Sequence, residues 1–291
     1  MTPLLTIFTA SVREDLARLW LACVRRAFPR DETLVEIFDD SEAGRLRPER
    51  LEGATILRPG PGRRDFQEAY NDALGRAATP WLALLDTDTY AVSRDVWPRV
   101  RARFGPDVAA VLCAPRGATG GDDTVALVLN VAAYRAACED APDGFLPRVE
   151  GEVNGERPGQ WRGHDTGDLL TRAVARRGGR IDVLPLGDEG AFVRFDALTN
   201  AQLLAAWSGD GPLLALAREH VYFREGCLGN IALRRLYART FPDGPPFSFR
   251  VPTAAVWAAM ASGGLGSLRD AASRARRMRA GARRIEKFLR A

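Results

Sequence analysis

The sequence has almost no lysine: among 41 basic residues, only Lys287 is not an arginine. Basic character built from one residue type, beside abundant alanine, reads as compositional bias. The net charge of +4 is therefore weak evidence for nucleic-acid binding. No basic motif interleaved with aromatics, as in known nucleic-acid folds, accompanies it. Cysteine is scarce as well. Cys23, Cys113, Cys138 and Cys227 lie far apart, and no CxxC pair exists. This gives no support for a structural zinc site and points to reduced thiols in a cytoplasmic protein. Long apolar runs are missing: nowhere do about 18 strongly apolar residues follow one another, so no spanning helix is expected. The nearest stretch, VPTAAVWAAMASGGLGSL, is diluted by Ala, Gly and Ser. The opening MTPLLTIFTASVRED lacks the basic start and apolar run of an export leader and reads as a first strand. No GxGxxG follows that strand, which disfavours a dinucleotide-binding oxidoreductase.

What is present suits a globular protein with a sizeable core. The chain has 291 residues, of which 46% are hydrophobic and 27% charged. The first half alternates strand-like and helix-like segments. Strands are expected at 4–10, 32–40, 54–59 and 81–86. A helix over 13–28 places Leu16, Leu19, Trp20, Cys23 and Val24 on one face, and another over 65–78 turns Phe66, Ala69, Tyr70, Ala73 and Leu74 inward. This β-α-β-β-α-β order predicts an open, largely parallel sheet with helices on its faces. Two further strands are expected at 108–115 and within 124–134, the second turning into a helix that holds Tyr134 and Ala137. Residues 147–164 form a long polar loop containing Trp161. DTGDLLTRAVARRGG reads as a helix with Asp165 or Thr166 near its N-cap and Gly178 at its end, followed by the strand RIDVLP. From about residue 200 the chain becomes helical. The expected division is 1–200 for an α/β domain and 201–291 for a helical region with a basic tail.

The stretch WLALLDTDTY, residues 81–90, carries the chemistry. A buried-looking strand runs into two carboxylates one residue apart. Residues i and i+2 of an extended segment project to the same side. Asp86 and Asp88 are therefore placed to share one cation or to divide its work. LVEIFDDS likewise ends a strand in acids, Asp39 and Asp40. In open α/β sheets, ligands sit at the carboxyl ends of strands, where both acidic pairs lie.

Four segments in order resemble the GT-A glycosyltransferases of the large family 2 kind. TIFTASVRED resembles that family's first strand and loop. LVEIFDDS resembles its second strand, and AYNDALGRAATPWLALLDTD its Asn-bearing helix, strand and Asp-x-Asp. HDTGDLLTRAVARRGGRIDVLP resembles its acceptor-side segment, with His164 where the family usually has Glu. The resemblance runs from Leu4 to about Pro185. It implies a Rossmann-like three-layer α/β/α fold with a mostly parallel sheet. It also implies an inverting transferase that takes a nucleoside-diphosphate sugar donor and a glycan or lipid-linked acceptor, with Mn²⁺ or Mg²⁺. Such a cation prefers oxygen ligands and neutralises the diphosphate charge that builds as the sugar–phosphate bond breaks.

By that resemblance Asp88 binds the metal directly, and Asp86 holds the ribose or a metal-bound water. Asp39, with Asp40 as the alternative, bonds the donor's uracil or ribose. Thr9 and Ala10 lie where backbone groups contact the base, and Asn71 sits on the matching helix. Arg63 and Arg64, beside the glycines of PGPGRR, are candidates to pair with the donor phosphates. Asp165 or Asp168 is the general base that deprotonates the acceptor hydroxyl. His220, one of two histidines, is the candidate third metal ligand.

The basic C-terminal helix, 267–290, is a candidate for peripheral contact with an anionic membrane surface. No nucleic-acid partner is expected. Two rivals differ in class. A sugar nucleotidyltransferase would normally begin with a glycine-rich loop, and FTASVRED contains no glycine. A catalytically degenerate module that binds glycans or partners is the other, opposed by the retained Asp86, Asp88 and Asp165.

Overall fold

The computed structural model describes residues 2–41, 46–58, 66–113, 126–146, 148–149, 163–164, 167–187, 189–195, 198, 221–249, 253–261 and 264–291. In chain order the elements are β1 (Leu5–Ser11), α1 (Glu14–Ala27), β2 (Thr33–Asp39), β3 (Thr55–Leu57), α2 (Phe66–Arg76), β4 (Trp81–Leu85), β5 (Thr89–Ala91), α3 (Val96–Arg101), β6 (Val108–Leu112), β7 (Ala126–Asn130), α4 (Val131–Ala137), β8 (Arg148–Val149), β9 (Gly163–His164), α5 (Asp168–Arg176), β10 (Arg180–Val183), β11 (Phe192–Arg194), α6 (Val221–Thr240), α7 (Thr253–Ala261) and α8 (Gly264–Arg290). They fall into two compact units. One comprises Met1–Val12, Arg25–Thr87 and Ser93–Phe192, the other Arg13–Val24, Asp88–Val92 and Val193–Ala291.

Seven strands of the first unit form one sheet in the order β10-β6-β7-β4-β1-β2-β3. Every neighbouring pair is parallel except those of β7, which runs antiparallel to both β4 and β6. The mostly parallel sheet implied by the resemblance is thus the one observed. Strands β4 and β6 are buried at every position, because a strand inside this sheet is covered on both faces. On one face Phe8, Phe38, Leu82, Leu84, Leu127 and Leu129 pack against Ala69, Tyr70 and Leu74 of α2, Tyr134 of α4 and Leu170 of α5. The side chains alternate by two along each strand, as the pleat demands. On the other face a residual cavity of only about 10 Å³ is left among Ile7, Phe28, Ala83, Val96, Val100 and Val128. The sheet therefore carries helices on both sides. At its margins β3 is three residues long, and β10 begins at an irregular register between Arg180 and Ile181.

Local chemistry explains the helix ends. Asn130 caps α4, its side-chain oxygen accepting from the Ala133 amide at 3.1 Å. The N-cap of α5 is Gly167, at φ 81°, the residue that follows Asp165 and Thr166 in the sequence. The chain enters this helix through a left-handed residue, a conformation glycine adopts without steric cost. At the other end Gly178, at φ 84°, follows the C-cap Arg177, as expected. Five short elements were not expected: β5, α3, β11, and the two-residue strands β8 and β9, which pair antiparallel at the two ends of the expected polar loop 147–164.

The second unit contains β5 paired with β11, and helices α6, α7 and α8. Gly229 of α6 and Gly281 of α8 make room for β11 and the residues that follow it. A Cβ at Gly281 would stand 2.9 Å from Val193 Cγ1, and one at Gly229 would stand 2.8 Å from Leu198 Cδ2. A buried polar cluster centres on Arg13. The guanidinium donates to both oxygens of Asp15, at 3.0 and 2.8 Å, to Ser248 Oγ at 3.0 Å and to Asn230 Oδ1. It also lies 4.6 Å from the centre of the Phe247 ring.

Candidate active site

Strands β1, β2 and β4 end together at one rim of the sheet. Ser11 pairs with Asp39 across β1 and β2, and Phe8 pairs with Leu84 across β1 and β4. Continued by two residues, the second register brings Ala10 level with Asp86. The Thr87 hydroxyl accordingly lies 3.5 Å from the Ala10 carbonyl. On one side of β1 the chain steps outward through β2 and β3, and it returns with β4 on the other. That reversal is the switch point at which open α/β sheets bind ligands.

The candidate residues on this rim differ in what holds them. Thr9 is fully buried, and Ala10 and Asp40 are half-buried. The Asp40 amide donates to the Ser11 carbonyl at 3.0 Å, which fixes the backbone of the acidic pair. Asp39 is fully buried, and its carboxylate accepts from the Ser41 amide and hydroxyl through Oδ1 and from the Leu46 amide through Oδ2. It thus holds the chain that leaves β2, while Asp40 follows it on the rim.

Asp86, half-buried, follows the last residue of β4. The Tyr70 hydroxyl donates to its Oδ1 at 2.7 Å. A phenol fixes the carboxylate without cancelling its charge. Tyr70 is itself locked edge-on between Phe8 and Phe145, each ring centre 5.9 Å away. Neither Tyr70 nor Phe145 was identified as a site residue from the sequence. The available signal was Tyr70 on the inward face of its helix: a buried phenol hydroxyl seeks a polar partner.

Asn71 is engaged by the chain itself. Its Oδ1 accepts from the Phe145 amide at 2.8 Å, and its Nδ2 donates to the Asp143 carbonyl at 3.1 Å. Between these residues Gly144 turns at φ 60°, where a Cβ would lie 2.1 Å from Asn71 Oδ1. The Phe145 carbonyl then accepts from the Gly167 amide at 3.3 Å. Phe145 thereby ties the start of α5, whose first residue is Asp168, to the helix that carries Tyr70. Within α5, the Thr171 hydroxyl lies 3.2 Å from that of Tyr134, a second tether.

Asp88 belongs to the second unit, the division falling between Thr87 and Asp88. Its carbonyl accepts from the Phe195 amide at 2.9 Å, and the Thr89 hydroxyl lies 3.4 Å from its Oδ1. Burial, then the negative charge of Asp88, raise the pKa of the Tyr90 phenol well above its ordinary value. Arg63, Arg64, Asp165 and His220 lie outside the described residues, as does Trp161.

Among the described residues no three His, Cys, Asp or Glu side chains gather as a metal cluster. The carboxylates of Asp86 and Asp88 are hard oxygen donors, and a carboxylate has capacity for more than one partner. In chemistry the pair fits Mg²⁺ or Mn²⁺.

No protein-family model matches the sequence, and a comparison with curated proteins finds no match. Among solved structures the chain is similar to the mannosyltransferase PcManGT from Pyrobaculum calidifontis in complex with GDP-Man and Mn²⁺, with 16% identity, 97% of this chain and 86% of that one covered, and a TM-score of 0.47. It is similar to S. aureus TarS, with 13% identity, coverage of 96% and 90%, and a TM-score of 0.44. It is also similar to 4-diphosphocytidyl-2C-methyl-D-erythritolsynthase from Anaerococcus prevotii, with 11% identity, coverage of 63% and 89%, and a TM-score of 0.43. Likenesses of this size carry no argument about chemistry, which rests on the site's own residues.

Proposed function

We propose that this chain is a metal-dependent, inverting glycosyltransferase that takes a nucleoside-diphosphate sugar. One observation carries the reading: Asp40 and Asp86 follow the ends of β2 and β4, the strands flanking β1 at the sheet's switch point, and Phe145 tethers the start of α5 to the helix that orients Asp86. A donor at this rim would have its base beside Thr9 and Ala10, with Asp40 and Asp39 as the acids nearest the ribose. Asp86 and Asp88 supply the carboxylates for a divalent cation, a part that rests on their closeness in the sequence, since Thr87 and Asp88 form a turn and not the extended segment expected. Bound there, the cation neutralises the diphosphate as it departs. Tyr70 keeps the Asp86 carboxylate pointed. Asp165 or Asp168, at the N-terminal end of α5, takes the proton of the acceptor hydroxyl as it attacks the anomeric carbon from the opposite face. Arg63, Arg64 and His220 remain candidates for the diphosphate and the metal. The acceptor is a glycan or lipid-linked sugar.

The test is a thermal-shift screen with Mn²⁺ and UDP, GDP, dTDP or CMP, followed by product analysis with the matching sugar nucleotide. Metal-dependent stabilisation by one nucleotide and release of that nucleoside diphosphate are expected. Release of pyrophosphate instead would identify a nucleotidyltransferase. No response to any nucleotide would leave a binding module.

A further inference from the structure

Within the second unit α6, α7 and α8 enclose a groove of about 370 Å³. Its floor is apolar: Leu228 and Ala232 from α6, and Ala275 and Ala282 from α8, are all buried. Small alanines at these facing positions leave a space that larger side chains would fill. The half-buried indole of Trp257, from α7, lines the same groove. Two arginines four residues apart on each of α6 and α8 form its rim: Arg235 and Arg239, Arg279 and Arg283. Like charges at this spacing repel along a helix. Arg239 is held by Glu286 at 3.0 and 2.8 Å, but Glu286 is shared with Arg290 at 2.8 Å. Among the described residues no carboxylate pairs with Arg235, Arg279 or Arg283, so the rim keeps an uncompensated positive charge.

We propose that this groove binds a lipid with a phosphate head. Guanidinium groups on opposite helices suit the oxygens of a phosphate monoester or diphosphate. The lining below them offers aliphatic carbon and an indole, a wall for hydrocarbon. A nucleotide fits it poorly. Among the described lining residues the one uncharged polar side chain is Thr253, whose hydroxyl already accepts from Arg234 at 2.9 Å, so a base edge would find few partners there. The site is local, unlike the diffuse attraction of a basic helix for a membrane. Among the described residues no helix is long and apolar enough to cross a bilayer. This proposal does not depend on the transferase reading.

The experiment is vesicle flotation of the full chain with phosphatidylcholine alone and with added phosphatidic acid, without metal or nucleotide. Preferential binding to phosphatidic acid vesicles is expected. The double variant Arg279→Glu, Arg283→Glu should weaken it roughly thirtyfold. The control Arg276→Glu, Arg277→Glu makes the same charge change on exposed positions that do not line the groove, and should have much less effect. Arg279→Gln, Arg283→Gln repeats the test should charge reversal unfold the chain. Lipids brominated on their chains should quench wild-type fluorescence and lose that part of the quenching in Trp257→Phe. Equal losses in the groove and control variants would mean diffuse charge and overturn the proposal. Equal binding to both vesicle types would overturn it too. So would binding of inorganic phosphate without any vesicle preference, which would make free phosphate the ligand.

Discussion

The hydroxyl of Tyr70 reaches Asp86 Oδ1 at 2.7 Å, so a helix on one face of the sheet aims a carboxylate at the end of β4. Tyr70→Phe removes that bond and leaves the ring packing in place. A hydrogen bond to a charged group is worth about 1.5–3 kcal/mol. If Asp86 serves the donor and its cation, the variant should lose that much nucleotide-plus-metal stabilisation, read by thermal shift, with a smaller change in the unliganded melting temperature.

Asn71 and Gly144 form one device. Asn71→Ala orphans the Phe145 amide and should cost about 1–3 kcal/mol in urea unfolding. Gly144→Ala puts a Cβ into Asn71 and demands a left-handed alanine, so it should be at least as damaging. Because Phe145 also receives the Gly167 amide, hydrogen exchange should quicken at the start of α5 in both variants.

The base and the metal ligand separate by assay. Asp88→Ala should abolish metal-dependent nucleotide binding. Either Asp165→Asn or Asp168→Asn should keep binding and lower transfer about 10²–10⁴-fold. Normal transfer by both Asn variants would refute a base at this helix end.

The buried pair of Arg13 and Asp15, with side chains 1% and 3% exposed, makes a different kind of prediction. Arg13→Met strands a buried carboxylate and should cost about 3–5 kcal/mol of stability. Removing both charges, Arg13→Met with Asp15→Leu, should restore much of it. If the double variant is as unstable as the single, the bonds from Arg13 to Asn230 and Ser248 matter more than the charge balance.

Burial pushes the Cys113 and Cys227 thiols up to about 12, from an ordinary value near 9. A raised folded value means the folded chain holds its proton longer. The contribution is full below the unfolded pKa and is lost as pH rises from about 8.5 toward 12. Urea midpoints should therefore fall through this alkaline range. At neutral pH a thiol reagent should label half-buried Cys138 first, and Cys23, Cys113 and Cys227 only on unfolding.

The sheet was legible because its central strands are apolar runs between turn signals, as in WLALL and VAAVL. The direction of β7 was not: a buried run such as ALVLN reads the same parallel or antiparallel. The strands TYA and FVR are too short to show a period, and Pro98 masks α3. At the rim the acids at strand ends were visible. The loop that Asp39 holds was not, since its partner Leu46 lies seven residues on in a segment without periodicity. Nor could sequence show that Asn71 bonds a turn more than seventy positions away.

The two margins of the seven-stranded sheet are poor templates for another chain. At one flank β3 offers three residues of backbone. At the other, β10 starts with a broken register and places Arg180 and Asp182 along the edge, bonded to each other, with Arg180 also bonded to Asp107. Short length, a bulge and charge each discourage a foreign strand from adding to an open ladder. This sheet is thus built to resist fibrillar growth at both ends, even in a crowded solution where its apolar interior strands would otherwise invite it.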